Sequence, residues 1–200
     1  MKLRWFNAAI AVVFAAALGS AAAQDSPRDY IQAAADAMLS TTALTSEAER
    51  FAALDQVLQD YFELNVVTRA VVGSHSAALS PQQLTRFTNE FRIGLVDLLA
   101  TALGEIEEYE MEIGSPRMRG DDRAQVPVDV DAGSLGDFEF QFSLARSNGR
   151  WNALNLIVNG VNVGLTYRNQ FNELMASNSG DVDTVIDIWR DSVAESGPEI

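Results

Sequence analysis

The sequence predicts an α+β domain, a twisted antiparallel sheet of about four strands wrapped by N-terminal and C-terminal helices. Three observations carry this. Up to residue 105 apolar residues recur at steps of three and four, the spacing of one helix face. From Ile106 the period drops to two, that of a strand with one apolar side. Beyond Tyr167 the helical spacing returns. Helices, then a run of strands, then helices give a sheet with its helices on one face.

The chain opens with Lys2 and Arg4, an apolar run from Ala8 to Leu18 and the small-residue site Ala21-Ala22-Ala23 before Gln24, the pattern of a secretory signal peptide. The run is shorter than the roughly 20 residues a spanning helix needs. No later stretch comes near that length, so the mature protein is expected to be soluble, without stable membrane insertion. No cysteine stands at the cleavage site to carry a lipid, and none elsewhere to form a disulfide. Residues 24–200 suit one domain with a substantial core.

Ser26-Pro27 supplies an N-cap and a first-turn proline, after which Tyr30, Ile31, Ala34, Ala35 and Met38 share a stripe. A second helix from Ser46 carries Phe51, Leu54, Val57, Leu58 and Tyr61 and continues through a bend to Gly73, a helix stop. Ser80-Pro81-Gln82-Gln83 reads as a capping box opening a helix of about six turns, with Leu84, Phe87, Phe91, Leu95, Leu98 and Ala102 on one face. Gly94 inside it permits a bend or a close approach by a neighbour.

Strands are expected over Ile106–Ile113, Ala124–Val130, Phe138–Leu144 and from Trp151. The last two are joined by Ser147-Asn148-Gly149-Arg150, and Asn-Gly between apolar strands is a hairpin signal. Helices resume through Phe171, Leu174 and Met175, and again from Asp181 through Val182, Val185, Ile186 and Trp189.

Removing the leader leaves 12 arginines, no lysine and all 28 acidic residues, two charges more negative than the −14 of the whole chain. Such a field repels nucleic acid and anionic bilayers, so nucleic acid is not expected as a partner. It also serves solubility.

Gly73-Ser74-His75-Ser76-Ala77 has the outline of a hydrolase nucleophile elbow, but that motif needs a preceding strand and a separate histidine. His75 is the only histidine, which argues equally against zinc; no catalytic residue and no metal site is assigned. The run Glu105, Glu107, Glu108, Glu110, Glu112 lies on a straight strand that cannot gather the oxygens calcium needs, and reads as a solvated face or a patch for a basic partner. Phe138, Phe140 and Phe142 opposite Phe87, Phe91, Leu95 and Leu98 form either a core or an apolar cavity, which ask for the same residue types.

Two blocks then stand out. Tyr61 to Leu103 reads YFELNVVTRAVVGSHSAALSPQQLTRFTNEFRIGLVDLLATAL, a short helix ending Val71-Val72-Gly73 and a long one opening on Ser-Pro. Trp151 to Phe171 reads WNALNLIVNGVNVGLTYRNQF, a strand running through Gly160 into an apolar segment that ends Tyr-Arg-x-Gln-Phe. Together with their spacing these resemble the MlaC, or toluene-tolerance, family. Asn155, Asn159, Asn162 and Thr166 stand where that family usually has Asp, Glu, Ser and Asn.

The resemblance implies a signal peptide over 1–23 and a single MlaC-like lipid-binding domain over 24–200, located in the periplasm. It implies a non-enzymatic phospholipid carrier between outer and inner membranes, the soluble component of an Mla-type ABC system that maintains outer-membrane lipid asymmetry. Its cargo would be phospholipid, with no other cofactor. Its partners would be an inner-membrane Mla-type ABC transporter with an MlaD-type ring and an outer-membrane MlaA-type lipoprotein beside a porin, and the carrier itself a monomer. An apolar cavity between sheet and helices is then expected, with Phe87, Phe91, Leu95, Leu98, Phe140, Phe142, Leu156, Val158, Val163 and Tyr167 as candidates for its wall. Arg168 is the candidate for the head group, since a guanidinium can meet a phosphate with two hydrogen bonds; it could equally cap structure or pair with a carboxylate. ATP hydrolysis is not its task, because no P-loop is present. A carrier of another apolar ligand, such as a hopanoid or an aromatic solvent, an NTF2-like enzyme and a closed-core structural adaptor are the other readings.

Overall fold

The structure is a computed structural model that describes residues 26–106 and 108–195. The expected signal peptide lies outside them, as does Glu107. Helices α1 (Pro27–Ser40), α2 (Glu47–Tyr61), α3 (Leu64–Val72) and α4 (Pro81–Glu105) come first. Strands β1 (Glu110–Ile113), β2 (Arg117–Met118), β3 (Arg123–Asp131), β4 (Asp137–Ser147), β5 (Arg150–Val158) and β6 (Val161–Asn162) follow, then α5 (Val163–Ser177) and α6 (Val182–Glu195). All strand pairs are antiparallel, in the order β1-β3-β4-β5-β6, with β2 also on β3. The predicted α+β architecture is the observed one. The sheet has six strands rather than about four because two short ribbons, β2 and β6, extend it.

Local chemistry sets the helix limits. The Ser26 hydroxyl accepts the Asp29 amide at 3.1 Å. Ser80 Oγ accepts from Gln83 N while Gln83 Oε1 accepts from Ser80 N, a complete capping box. Gly73 ends α3 at φ +57°, ψ −124°, a conformation closed to residues with a Cβ. At Gly94 α6 comes close to α4: a Cβ there would lie 3.1 Å from that of Val193.

The expected bend before Gly73 is a full break. Phe62 is extended and bridges to Ala153 of β5, so one helical run becomes α2 and α3 meeting at the sheet. The first strand is shorter than expected, since pairing with β3 begins only at Glu110, opposite Asp131. Asn159 and Gly160 both have positive φ and form a second tight hairpin where an uninterrupted passage was expected. Consequently α5 starts at Val163, four residues ahead of Tyr167.

One sheet face is apolar: Val126, Val128 and Val130 lie opposite Phe142, Phe140 and Phe138. Along β5 the inward residues change parity, from Trp151 and Ala153 to Leu156 and Val158. A bulge reconciles this, because Ser143 pairs with Asn155 but Leu144 with Ala153, and the extra residue increases the local twist. The other face carries carboxylates in register, Glu112 opposite Asp129 opposite Glu139, and Glu110 opposite Asp131 opposite Asp137.

Three adjoining cores result. Helices α3 to α6 close around Trp189, whose ring lies 5.0 to 6.2 Å from those of Phe87, Phe171, Phe91 and Tyr167. Helix α1 covers the apolar sheet face through Tyr30 and Ile31. Leu54, Leu58, Leu64, Val96 and Leu103 join α2, α3 and α4, with Phe62 and Leu95 linking this cluster to its neighbours.

Candidate functional site

An apolar cavity of about 190 Å³ lies between α1 and the sheet. Its roof is α1: Tyr30, Ile31, Ala34, Ala35, Met38 and Leu39. The alanines reach too little to fill the space above the sheet, and the gap beneath them is the cavity. Its floor is Met111, Val128, Val130, Phe140 and Phe142. Tyr61, Phe62 and Ala153 close one end; Leu103, Ile106 and Tyr109 bound the other, where Tyr109 is 46% exposed and marks the way to solvent. Among the described residues no charged side chain is in this wall. Across Phe62 lies a polar recess of about 340 Å³ lined by Gln59, Glu63, Asn65, Thr85, Thr88, Asn89 and Arg92.

The closed end is tied by polar bonds. Tyr30 donates its hydroxyl to the Tyr61 carbonyl and accepts the Ala153 amide at 3.2 Å. Burial pushes the Tyr30 phenol well above its ordinary value, and the Ala153 amide offsets this only in part. Arg28 donates to the Ile113 carbonyl, anchoring the start of α1 to the end of β1.

Of the sequence-selected cavity residues, Phe140 and Phe142 line this space. Phe87, Phe91 and Tyr167 are buried in the Trp189 core, with Leu95 and Val163 packed against it. Leu98 is half-buried on α4. Val158 is buried opposite Phe140, and Leu156 is half-buried opposite Phe142. Arg168 lies on the outside of α5, where its Nε donates to the Ala70 carbonyl at 2.7 Å and its chain packs over Gly73. Tyr167, next to it, points inward; its hydroxyl has no partner among the described residues, and burial pushes its pKa up to about 12. The early start of α5 puts the two on successive positions of one helix, about 100° apart, so that Tyr167 faces the core and Arg168 the surface.

Sequence reasoning passed over the α1 stripe as a site. The available signal was Ala34-Ala35 on the buried face, too small for a helix that must cover a sheet of valines and phenylalanines.

The four departures from the family pattern serve local structure. Asn162 Oδ1 accepts the Leu165 amide, Asn155 Oδ1 accepts the Gly164 amide, and the two asparagines bond each other at 3.1 Å, which caps α5. The Thr166 hydroxyl donates to the Asn162 carbonyl, and Asn159 Oδ1 accepts the Glu139 amide. His75 Nε2 lies 3.1 Å from Asn172 Oδ1 in the turn after α3. Among the described residues no group of three or more His, Asp or Glu side chains is placed to hold a metal ion, and no helix is long and apolar enough to cross a membrane.

An α+β domain with an uncharged, apolar cavity roofed by one helix has the architecture of a protein that holds an apolar ligand. The family profile of the MlaC protein matches residues 28–191, and the chain belongs to that family. It is 25% identical over 181 residues to the toluene tolerance protein Ttg2D of Pseudomonas putida, covering 87% of this chain and 84% of that one. Its fold is similar, with a TM-score of 0.69 at 15% identity, to the phospholipid-binding protein of Ralstonia solanacearum, solved in complex with a phospholipid; 84% of this chain and 97% of that one align.

Proposed function

We propose that this protein is a periplasmic phospholipid carrier that takes acyl chains into the cavity beneath α1 and leaves the head group exposed. The observation that carries the reading is the wall: a helix and a sheet face that, among the described residues, turn only uncharged, mostly aliphatic and aromatic surface toward one space. Each methylene left in water costs about 0.8 kcal/mol, so a two-tailed lipid does not cross an aqueous gap unaided, and an apolar wall removes that barrier. Family membership and the phospholipid complex of the Ralstonia protein support the same ligand class.

At about 190 Å³ the cavity is below the ~300–1,000 Å³ typical of pockets that enclose drug-sized ligands. Loading therefore requires α1 and the sheet to part, with the Tyr30 corner as the fixed end and the Tyr109 end as the opening. The free energy comes from the tails, so discrimination among head groups is weak. The carrier works in an Mla-type system without enzymatic activity. It exchanges lipid with an MlaD-type ring of the inner-membrane ABC transporter and with an MlaA-type lipoprotein beside a porin in the outer membrane. The cleaved leader over 1–23 delivers it to the periplasm, and its acidic charge discourages residence on anionic bilayers between exchanges.

Native mass spectrometry of the mature protein, followed by lipid extraction, tests this. A stoichiometric adduct of phospholipid mass is expected. A protein that stays bare after incubation with phospholipid vesicles would refute the carrier reading, and an adduct of fused-ring mass would replace the phospholipid with a hopanoid.

A further inference from the structure

The acidic residues of this chain are segregated. Of 28, none lies between Glu63 and Glu90 or between Glu139 and Glu173. Those two stretches contain α3 and the start of α5, which lie side by side in the fold. Arg168 donates to Ala70, and His75 meets Asn172 further along both segments, so α3 and α5 run in the same direction. One turn back from Ala70 and Arg168 on this shared ridge are Val66 and Leu165, 47% and 49% exposed. Beside them Arg69 and Arg168 are exposed and, among the described residues, form no salt bridge.

We propose that this ridge of α3 and α5, Val66 and Leu165 flanked by Arg69 and Arg168, is a docking surface for an acidic protein partner. An aliphatic pair with an arginine rim is the anatomy of an interface with an apolar centre and a polar margin. The rim is complementary to carboxylates on the partner. The acidic columns on the outer sheet face supply the opposite pole, and such a charge separation orients the molecule during encounter. A bilayer is the weaker fit. The exposed pair is aliphatic, without the Trp and Tyr that favour a membrane interface, and the net charge of −14 opposes approach to anionic lipid.

The assignment rests on the carrier reading, which supplies two proteins to test: the soluble periplasmic domain of the MlaD-type ring and the MlaA-type lipoprotein of the same organism. Each is measured by biolayer interferometry against the wild type, Arg69→Glu and Leu165→Asp, in low and moderate salt. Vesicles of mixed phosphatidylcholine and phosphatidylglycerol serve as the membrane probe, and lipid loading and thermal midpoint are recorded for every variant. The expected result is at least a tenfold loss of affinity for one of the two proteins in both variants, with salt weakening the wild-type complex and with lipid loading and stability retained. Equal binding by all three proteins, no binding by the wild type to either partner, or a loss confined to vesicles would overturn it. In each of those cases a lipid-loaded wild type leaves the carrier reading standing, whereas a wild type without lipid removes that reading itself.

Discussion

The phenol oxygen of Tyr30 accepts the amide of Ala153 at 3.2 Å, joining α1 to β5 across 123 residues of chain. The same hydroxyl donates to the Tyr61 carbonyl, so three elements meet on one atom at the closed end of the cavity. Tyr30→Phe keeps the ring and removes both bonds. A buried polar group left unsatisfied costs about 1–3 kcal/mol, and a loss of that size is expected in urea unfolding, seen as a lower midpoint at unchanged slope. An unchanged midpoint would show that the corner is held by packing alone.

Cavity and core are separable by mutation. Phe140→Glu places a charge in the apolar floor, and bound lipid in native mass spectra is expected to disappear while the far-UV spectrum stays that of the wild type. Phe91→Ala strikes the Trp189 core instead and should cost about 3–5 kcal/mol with lipid still bound at temperatures where the variant is folded. The reverse pattern would move the lipid site into the helical core.

The carboxylate columns on the outer sheet face set like charges directly across from one another, an arrangement that destabilises a sheet. Asp129→Asn interrupts the Glu112, Asp129, Glu139 row. A gain of about 0.2–1 kcal/mol is expected, largest at low ionic strength and shrinking as salt screens the row. A destabilised variant, or a gain independent of salt, would show that repulsion in this row is not the controlling effect.

Alkaline pH should weaken the fold through its buried tyrosines. Burial pushes Tyr167 from the ordinary phenol value of 10.0 up to about 12. Between those values the unfolded chain releases the proton while the folded chain keeps it. The stabilisation is therefore fully present below about pH 10 and is lost as pH rises through the window, at about 1.4 kcal/mol per unit. Tyr167→Phe removes its share of that slope, leaving the share due to Tyr30. Because the Tyr167 hydroxyl has no partner among the described residues, the substitution should also be neutral or stabilising near pH 8. Urea titrations from pH 8 to pH 11 decide this; an undiminished slope in the variant would assign the alkaline loss elsewhere.

Much of the fold was legible because its signals are local. The Ser26 and Ser80 caps, the stop at Gly73, the Asn148-Gly149 hairpin and the alternation of Val126, Val128 and Val130 each depend on residues a few positions apart, and the structure holds all of them. The break at Phe62 was visible only as a bend. Its cause is a bridge to Ala153, which no pattern within α2 and α3 encodes.

The sequence by itself determined the order and type of the longer elements, the segregation of charge and, through two extended blocks, the family. Tertiary structure alone decided which apolar faces pack tightly and which stand apart. Phe91 and Phe140 are equally apolar, and periodicity treats them alike. Phe91 meets Tyr167 and Trp189 and is core, while Phe140 shares a space with Ala34 and Ala35 of α1 and so borders a cavity. Burial against water depends on side-chain type, but the volume left between two faces depends on which partners the chain brings opposite each other. That pairing is set at long range.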